Sequence, residues 1–116
     1  MTAPVLIFSQ PAMFVGTTAD AWLRFQALRK RWHQERNESS SSTTEICMTP
    51  AYQEIIGMGL QAVPLIIAQL RSEGSQPDHW FWALAAITGA NPVPEEDAGR
   101  MDKMVVHWLS WYERSL

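Results

Sequence analysis

The chain has 116 residues, 47% of them hydrophobic and 18% charged, which fits one domain with its own core and excludes the disordered class. Its net charge of −3 is the wrong sign for a protein that binds nucleic acid through bulk charge. The single cysteine, Cys47, excludes an intramolecular disulfide and suits a reducing cytoplasm.

Charge is unevenly spread. Through Thr44 the chain carries five basic and three acidic residues, a net of +2, and from Glu45 onward four basic and nine acidic, a net of −5. The halves are able to attract each other or to present opposite signs to a partner.

Residues 1–16 contain two apolar patches, Val5-Leu6-Ile7-Phe8 and Met13-Phe14-Val15, separated by Pro11. They lack the positive start and the long apolar run of a signal peptide. No other apolar stretch approaches the roughly 20 residues that cross a membrane. The segment reads as an extended arm lying on the helical body; a segment that docks on another chain and a disordered tail are the alternatives.

A first helix is expected from Thr17 or Thr18, with Trp22, Phe25, Leu28 and Trp32 on one face. It fades near Asn37. Residues 38–44, Glu-Ser-Ser-Ser-Ser-Thr-Thr, contain nothing apolar and predict a flexible linker. Thr49-Pro50 then predicts a helix start, because threonine caps and proline needs no N–H at the first helical position. Gly57 or Gly59 ends that helix. The next begins near Gln61, which keeps Pro64 in its first turn. It places Val63, Ile66, Ile67 and Leu70 on one face and stops at Gly74.

The densest apolar run follows, from Asp78 to Gly89. Asp78 is the expected N-cap, and Trp80, Leu84 and Ile87 form a stripe with Phe81, Ala85 and Thr88 beside it. Trp82 lies about 200° from Trp80 at about 100° per residue. The helix is therefore apolar nearly all round and is expected to have neighbours on several sides. After the acidic, proline-rich connection Asn91–Asp97, a last helix from about Arg100 carries Met101, Met104, Val105, Trp108, Trp111 and Tyr112 at three- and four-residue steps.

Gly59-Leu60-Gln61-Ala62-Val63-Pro64-Leu65-Ile66 resembles the junction between paired helices of HEAT-type repeats. Ala83-Leu84-Ala85-Ala86-Ile87-Thr88-Gly89, followed by Trp108-Leu109-Ser110-Trp111, is similar to the ending of many bacterial HEAT-like chains. The region from Pro50 to Trp111 resembles small, uncharacterised bacterial HEAT-like helical proteins. The resemblance implies helix pairs in the C-terminal two thirds and a scaffold or partner-binding role, with no residue-level activity to transfer.

Chemical motifs are sparse. His33, His79 and His107 are far apart, Cys47 has no second cysteine, and no metal set is expected. The serines cluster in the linker, a poor place to hold a nucleophile. Gly57-Met58-Gly59 reads as a helix stop rather than a phosphate loop, and Glu95-Glu96-Asp97 as a solvated acidic loop suited to a helix N-terminus. No catalytic residue and no cofactor are expected.

Two surfaces remain. Arg24, Arg29, Lys30, Arg31 and Arg36 make the first helix basic, and with Trp22 and Trp32 they suggest phosphate and base contacts. Trp22, Phe25 and Trp32 also read as core residues, which leaves a solvated face as the default. The second surface is aromatic: Trp80, Trp82, Trp108 and Trp111 are expected to pack with Tyr52 between the last two helices. The excess of indoles makes His79, Trp82, Trp111 and Tyr112 candidates for a partner interface.

The expectation is an all-α bundle of about five helices, with an extended arm over 1–16 and a single helical domain over 17–116. Its expected role is that of a cytoplasmic, non-enzymatic protein-interaction module, with no membrane partner. It would be a small regulatory or antitoxin-like subunit or a homo-oligomer. Nucleic-acid binding through the basic first helix is the alternative.

Overall fold

A computed structural model describes residues 17–36 and 42–115. The expected arm over 1–16 and most of the expected linker lie outside the described residues. The fold is all-α, with six α-helices among the described residues: α1 (Thr17–Glu35), α2 (Thr43–Cys47), α3 (Pro50–Gly57), α4 (Ala62–Glu73), α5 (Phe81–Thr88) and α6 (Met101–Arg114). Short 3-10 turns, Gly59–Gln61 and Glu95–Asp97, precede α4 and α6. The expected linker is corrected at its end. Ser42 Oγ accepts the Glu45 N–H at 3.3 Å and caps α2, so Thr43 and Thr44 are helical.

The apolar periodicities become packing faces. α1 lies mainly along α3 and also touches α4, α5 sits against α3 and α4, and α6 reaches α4. Phe25, Leu28 and Trp32 of α1 meet Ala51, Tyr52 and Ile55 of α3, Ile66, Ile67 and Leu70 of α4, and Leu84 of α5 in one buried cluster. At its centre the Trp32 ring lies 4.9 Å from Tyr52 and 4.8 Å from Trp80, with Phe25 5.4 Å from Trp80. A buried indole or phenol must also satisfy its polar tip. Trp32 Nε1 donates to the Ile46 carbonyl at 2.8 Å, Trp80 Nε1 to Glu73 at 3.1 Å, and the Tyr52 hydroxyl to the His79 carbonyl at 2.7 Å.

Two helix starts differ from expectation for one reason. Thr49 stands at the N-cap of α3 but its hydroxyl makes no capping bond and is buried without a partner. The Ala51 N–H donates instead to Glu35 at the end of α1, at 2.9 Å. Asp78 is likewise not the cap of α5. That helix begins after Trp80, and its Ala83 N–H donates to the Tyr52 hydroxyl at 2.9 Å. The Asp78 carboxylate is engaged by Arg36 at 2.8 Å and by the His79 N–H at 2.8 Å. Asp78 stands two residues before the N-cap position, which Trp80 occupies. Both starts are thus capped across the fold rather than along the chain.

The end of α5 follows the local signal. Gly89 adopts φ +71° and its N–H closes on the Ala85 carbonyl at 2.8 Å, a left-handed stop that other residues adopt at a cost. The expectation of neighbours all round α5 is corrected: Phe81, Ala83 and Leu84 are buried, Ile87 is half-buried, and Trp82, Ala85 and Ala86 are exposed. Trp22 is also exposed, on the flank of α1, although its ring still lies 5.9 Å from Phe25. No single described helix is long and apolar enough to cross a membrane. α3 and the Gly59–Glu73 stretch pass that test only together, and they are bent by 101°.

Candidate partner interface

The aromatic residues expected to form one group divide into two. Tyr52 and Trp80 join Trp32 in the core, where the Tyr52 and Trp80 rings stack at 6.4 Å. Trp108 and Trp111 pair edge to face on α6 at 5.3 Å. Between α5 and α6 a groove remains. One hollow of about 550 Å³ is lined by Phe81, Trp82, Ala85, Val93, Met104 and Trp108, among others. A second, of about 270 Å³, is lined by Thr43, His79, Phe81, Trp82, Gly99, Met101 and Met104. Phe81, Trp82 and Met104 line both, so the two hollows adjoin at these side chains and together make up the α5–α6 trough.

The walls of the trough are held from behind. Phe81 is buried against the core while Trp82, the next residue, is turned outward by the helical step. The connection that supplies Val93, Glu95 and Ala98 is pinned to α6 by His107 Nε2 and Asp97 Oδ2, 2.8 Å apart. Met101 and Met104 bring flexible thioethers that adjust to varied apolar surfaces.

Of the residues singled out from the sequence, His79 and Trp82 come together at this trough. Trp111 and Tyr112 do not line it. They are half-buried further along α6, with the Arg71 guanidinium 6.0 Å from the Tyr112 ring centre. Phe81, Val93, Met101 and Met104 are lining residues that sequence reasoning did not assign. The signal was present in the three-residue spacing of Met101 and Met104 and in the all-round apolarity of α5, but both patterns also describe core.

The basic residues do not make one open face. Arg24 and Lys30 are exposed. Arg29 Nε donates to Gln26 at 2.9 Å. Arg31 pairs with Glu35 at 3.1 Å and with Glu54. Arg36 pairs with Asp78 and lies 4.3 Å over the Trp32 ring, its side chain only 10% exposed. The Ala51 N–H, and then Arg31, hold the Glu35 carboxyl below its usual range.

A polar network links this face to the α4–α5 turn. Gln26 donates to Gln69 at 3.2 Å and Gln69 to Glu73 at 3.0 Å. Glu73 also accepts the Asp78 N–H at 2.9 Å. His33 Nε2 lies 3.2 Å from Asp78 Oδ2 but without hydrogen-bond alignment. A polar hollow of about 470 Å³ opens beside these groups. Apart from His33 they are mutually engaged: the network clasps α1, α4 and the turn together.

Cys47 is fully buried, and its thiol points at the His79 carbonyl at 3.9 Å rather than at an imidazole. Burial pushes that thiol above its ordinary pKa, away from the reactive thiolate. Among the described residues no three His, Cys, Asp or Glu side chains gather as a metal ion requires. Comparison with family models, with curated proteins and with solved structures returns no match.

Proposed function

We propose that the chain is a non-enzymatic protein-interaction module of the cytoplasm, which engages its partner through the α5–α6 trough. One observation carries the reading: Trp82, 38% exposed, stands where two largely apolar hollows adjoin beside the buried Phe81. An aromatic anchor in a desolvated hollow is the usual centre of a binding surface. Methionines brought by α6 beside such a centre suit adaptable packing. The resemblance to bacterial HEAT-like proteins, whose members serve as scaffolds, is in keeping with a small regulatory or neutralising subunit.

The test compares wild type with Trp82→Ala and Met104→Ser in co-purification and in light scattering. Loss of the same complex in both variants, with unchanged thermal unfolding, is the expected result. A complex indifferent to both substitutions sinks the reading. The alternative, nucleic-acid binding by α1, keeps Arg24 and Lys30 as its exposed cations. It requires a salt-dependent gel shift that Arg24→Ala with Lys30→Ala removes.

A further inference from the structure

The trough asks for an apolar, uncharged occupant. Of the described residues that line it, Glu95 carries the one full charge, and Arg100 and Lys103 are exposed in the same stretch and offset it. Charge therefore selects nothing here, and apolar contact with Phe81, Trp82 and Met104 is what the two hollows offer.

The chain itself carries a segment of that kind. Residues 1–16 have no charged side chain and hold the apolar runs Val5-Leu6-Ile7-Phe8 and Met13-Phe14-Val15. The comparable runs at 65–68 and 81–87 already belong to α4 and α5 and supply the core. The run at 5–8 has no place in the cluster built by α1, α3, α4 and α5, and an apolar run left in water gains by being covered. The stretch at 37–41, Asn-Glu-Ser-Ser-Ser, enters the chain beside Thr43 of the trough wall but contains nothing apolar to fill it. Pro4 and Pro11 flank the run at 5–8 and favour an extended segment over a helix.

The reach is sufficient. Thr17 opens α1 and follows Phe8 by nine residues, which span roughly 30 Å when extended. From Thr17 to Trp32 the helix rises only about 22 Å. Phe25 and Trp32 lie 5.4 and 4.8 Å from Trp80, and Phe81 and Trp82 are the next residues of the chain. The segment has slack to pass around the flank of α1 and arrive at the trough.

We propose that the trough is filled by the chain's own N-terminal segment, residues 5–8, with Ile7 and Phe8 against Trp82 and Met104. The proposal rests on the trough as an interface and adds its regulation: a partner gains Trp82 only by displacing this segment. Tethering presents the segment to the trough at an effective concentration on the order of mM, so a weak contact in cis competes with a partner in trans.

Chymotrypsin cleavage after Phe8 of the full chain tests the placement. Trp82→Ala is expected to raise the cleavage rate about tenfold or more over wild type, since it removes the anchor, while cooperative unfolding stays unchanged. Leu60→Ser, at a residue 72% exposed and outside the trough, should leave the rate as it is. Equal rates in wild type and Trp82→Ala overturn the proposal, as does release by Leu60→Ser in place of Trp82→Ala. A second measurement separates cis from trans. Ile7→Cys combined with Met104→Cys, oxidised with copper–phenanthroline, should close a disulfide within one chain, with Cys47 left buried; a bond between two chains, or none, overturns the proposal. A synthetic peptide of residues 3–10 is the third probe. It should bind the full chain carrying Ile7→Asp and Phe8→Asp more tightly than wild type, whose trough is filled, and lose that binding when Trp82→Ala is added. A peptide that binds neither chain removes the segment from the trough, whereas co-purification through Trp82 decides the interaction reading separately.

Discussion

Trp80 and Trp82 stand two residues apart in the same apolar run, and the fold treats them oppositely. Trp80 is fully buried, stacked among Phe25, Trp32 and Tyr52, with its indole N–H on Glu73. Trp82 is 38% exposed and lines both hollows of the α5–α6 trough. The inner cluster meets elements on several sides and satisfies every indole and phenol tip. The trough has walls on two sides and an open top. Residue type does not separate core from surface in this chain; the number of elements that converge on a side chain does.

Substitution at the two indoles gives the largest contrast. Trp80→Ala is expected to cost about 3–5 kcal/mol, read as a lower urea midpoint, because it opens a cavity between three helices. Trp82→Ala should change stability by no more than about 0.5 kcal/mol, as at an ordinary surface position. Equal losses at the two sites would erase the distinction between core and trough.

Tyr52→Phe is expected to cost about 1–3 kcal/mol, since it strands the Ala83 N–H and leaves the His79 carbonyl only the weak Cys47 thiol, without changing the ring. Burial holds the Tyr52 hydroxyl far above its ordinary pKa. A phenol raised in this way stays protonated while the unfolded chain releases its proton above a pH of about 10. Stability is therefore whole below that pH and falls as pH rises beyond it. The alkaline limb of a pH–stability profile should be shallower in Tyr52→Phe than in wild type. Coincident alkaline limbs would show that the hydroxyl is not held as described.

The cap of α3 predicts a smaller effect on the acid side. Glu35 is held below its usual pKa, so its contribution is present above the ordinary carboxyl range and is lost as pH falls through the lowered value. Glu35→Gln should flatten the acid limb of thermal unfolding while leaving the alkaline limb alone. The smallest effect is expected at Thr49. A working N-cap threonine costs about 1 kcal/mol when removed. Here Thr49→Val should be neutral to within about 0.5 kcal/mol, because the hydroxyl is buried without a partner and replacing it with a methyl strands nothing. A loss near the full cap value would mean that Thr49, not Glu35, starts α3.

Much of the architecture was readable in one dimension. The three- and four-residue spacing of Phe25, Leu28 and Trp32, of Val63, Ile66, Ile67 and Leu70, and of Met101, Met104, Val105 and Trp108 marks α1, α4 and α6. Their faces turn inward as that spacing predicts. The stops at Gly74 and Gly89 were equally plain, because a left-handed turn depends on the residue at the turn itself. Of the candidate interface, His79 and Trp82 were readable as a pair, but Trp111 and Tyr112 lie apart from them on α6. Phe81, Met101 and Met104 were hidden because an apolar residue that lines a trough and one that fills a core have the same spacing.

By itself, then, the sequence determined helix type, order and inward faces, since hydrophobic period and glycine stops act within a few residues. Only the tertiary structure decided what caps α3 and α5 and which tryptophans, Trp22 and Trp82, stay outside. The local candidates, Thr49 and Asp78, yield to Glu35 and to the Tyr52 hydroxyl, which arrive from other helices. An orphan N–H takes whichever acceptor the packing delivers, and an indole is buried only as far as neighbouring elements close over it. Both are properties of the assembled fold, set by the meeting of α1, α3 and the start of α5 at Trp32, Tyr52 and the capping residue Trp80.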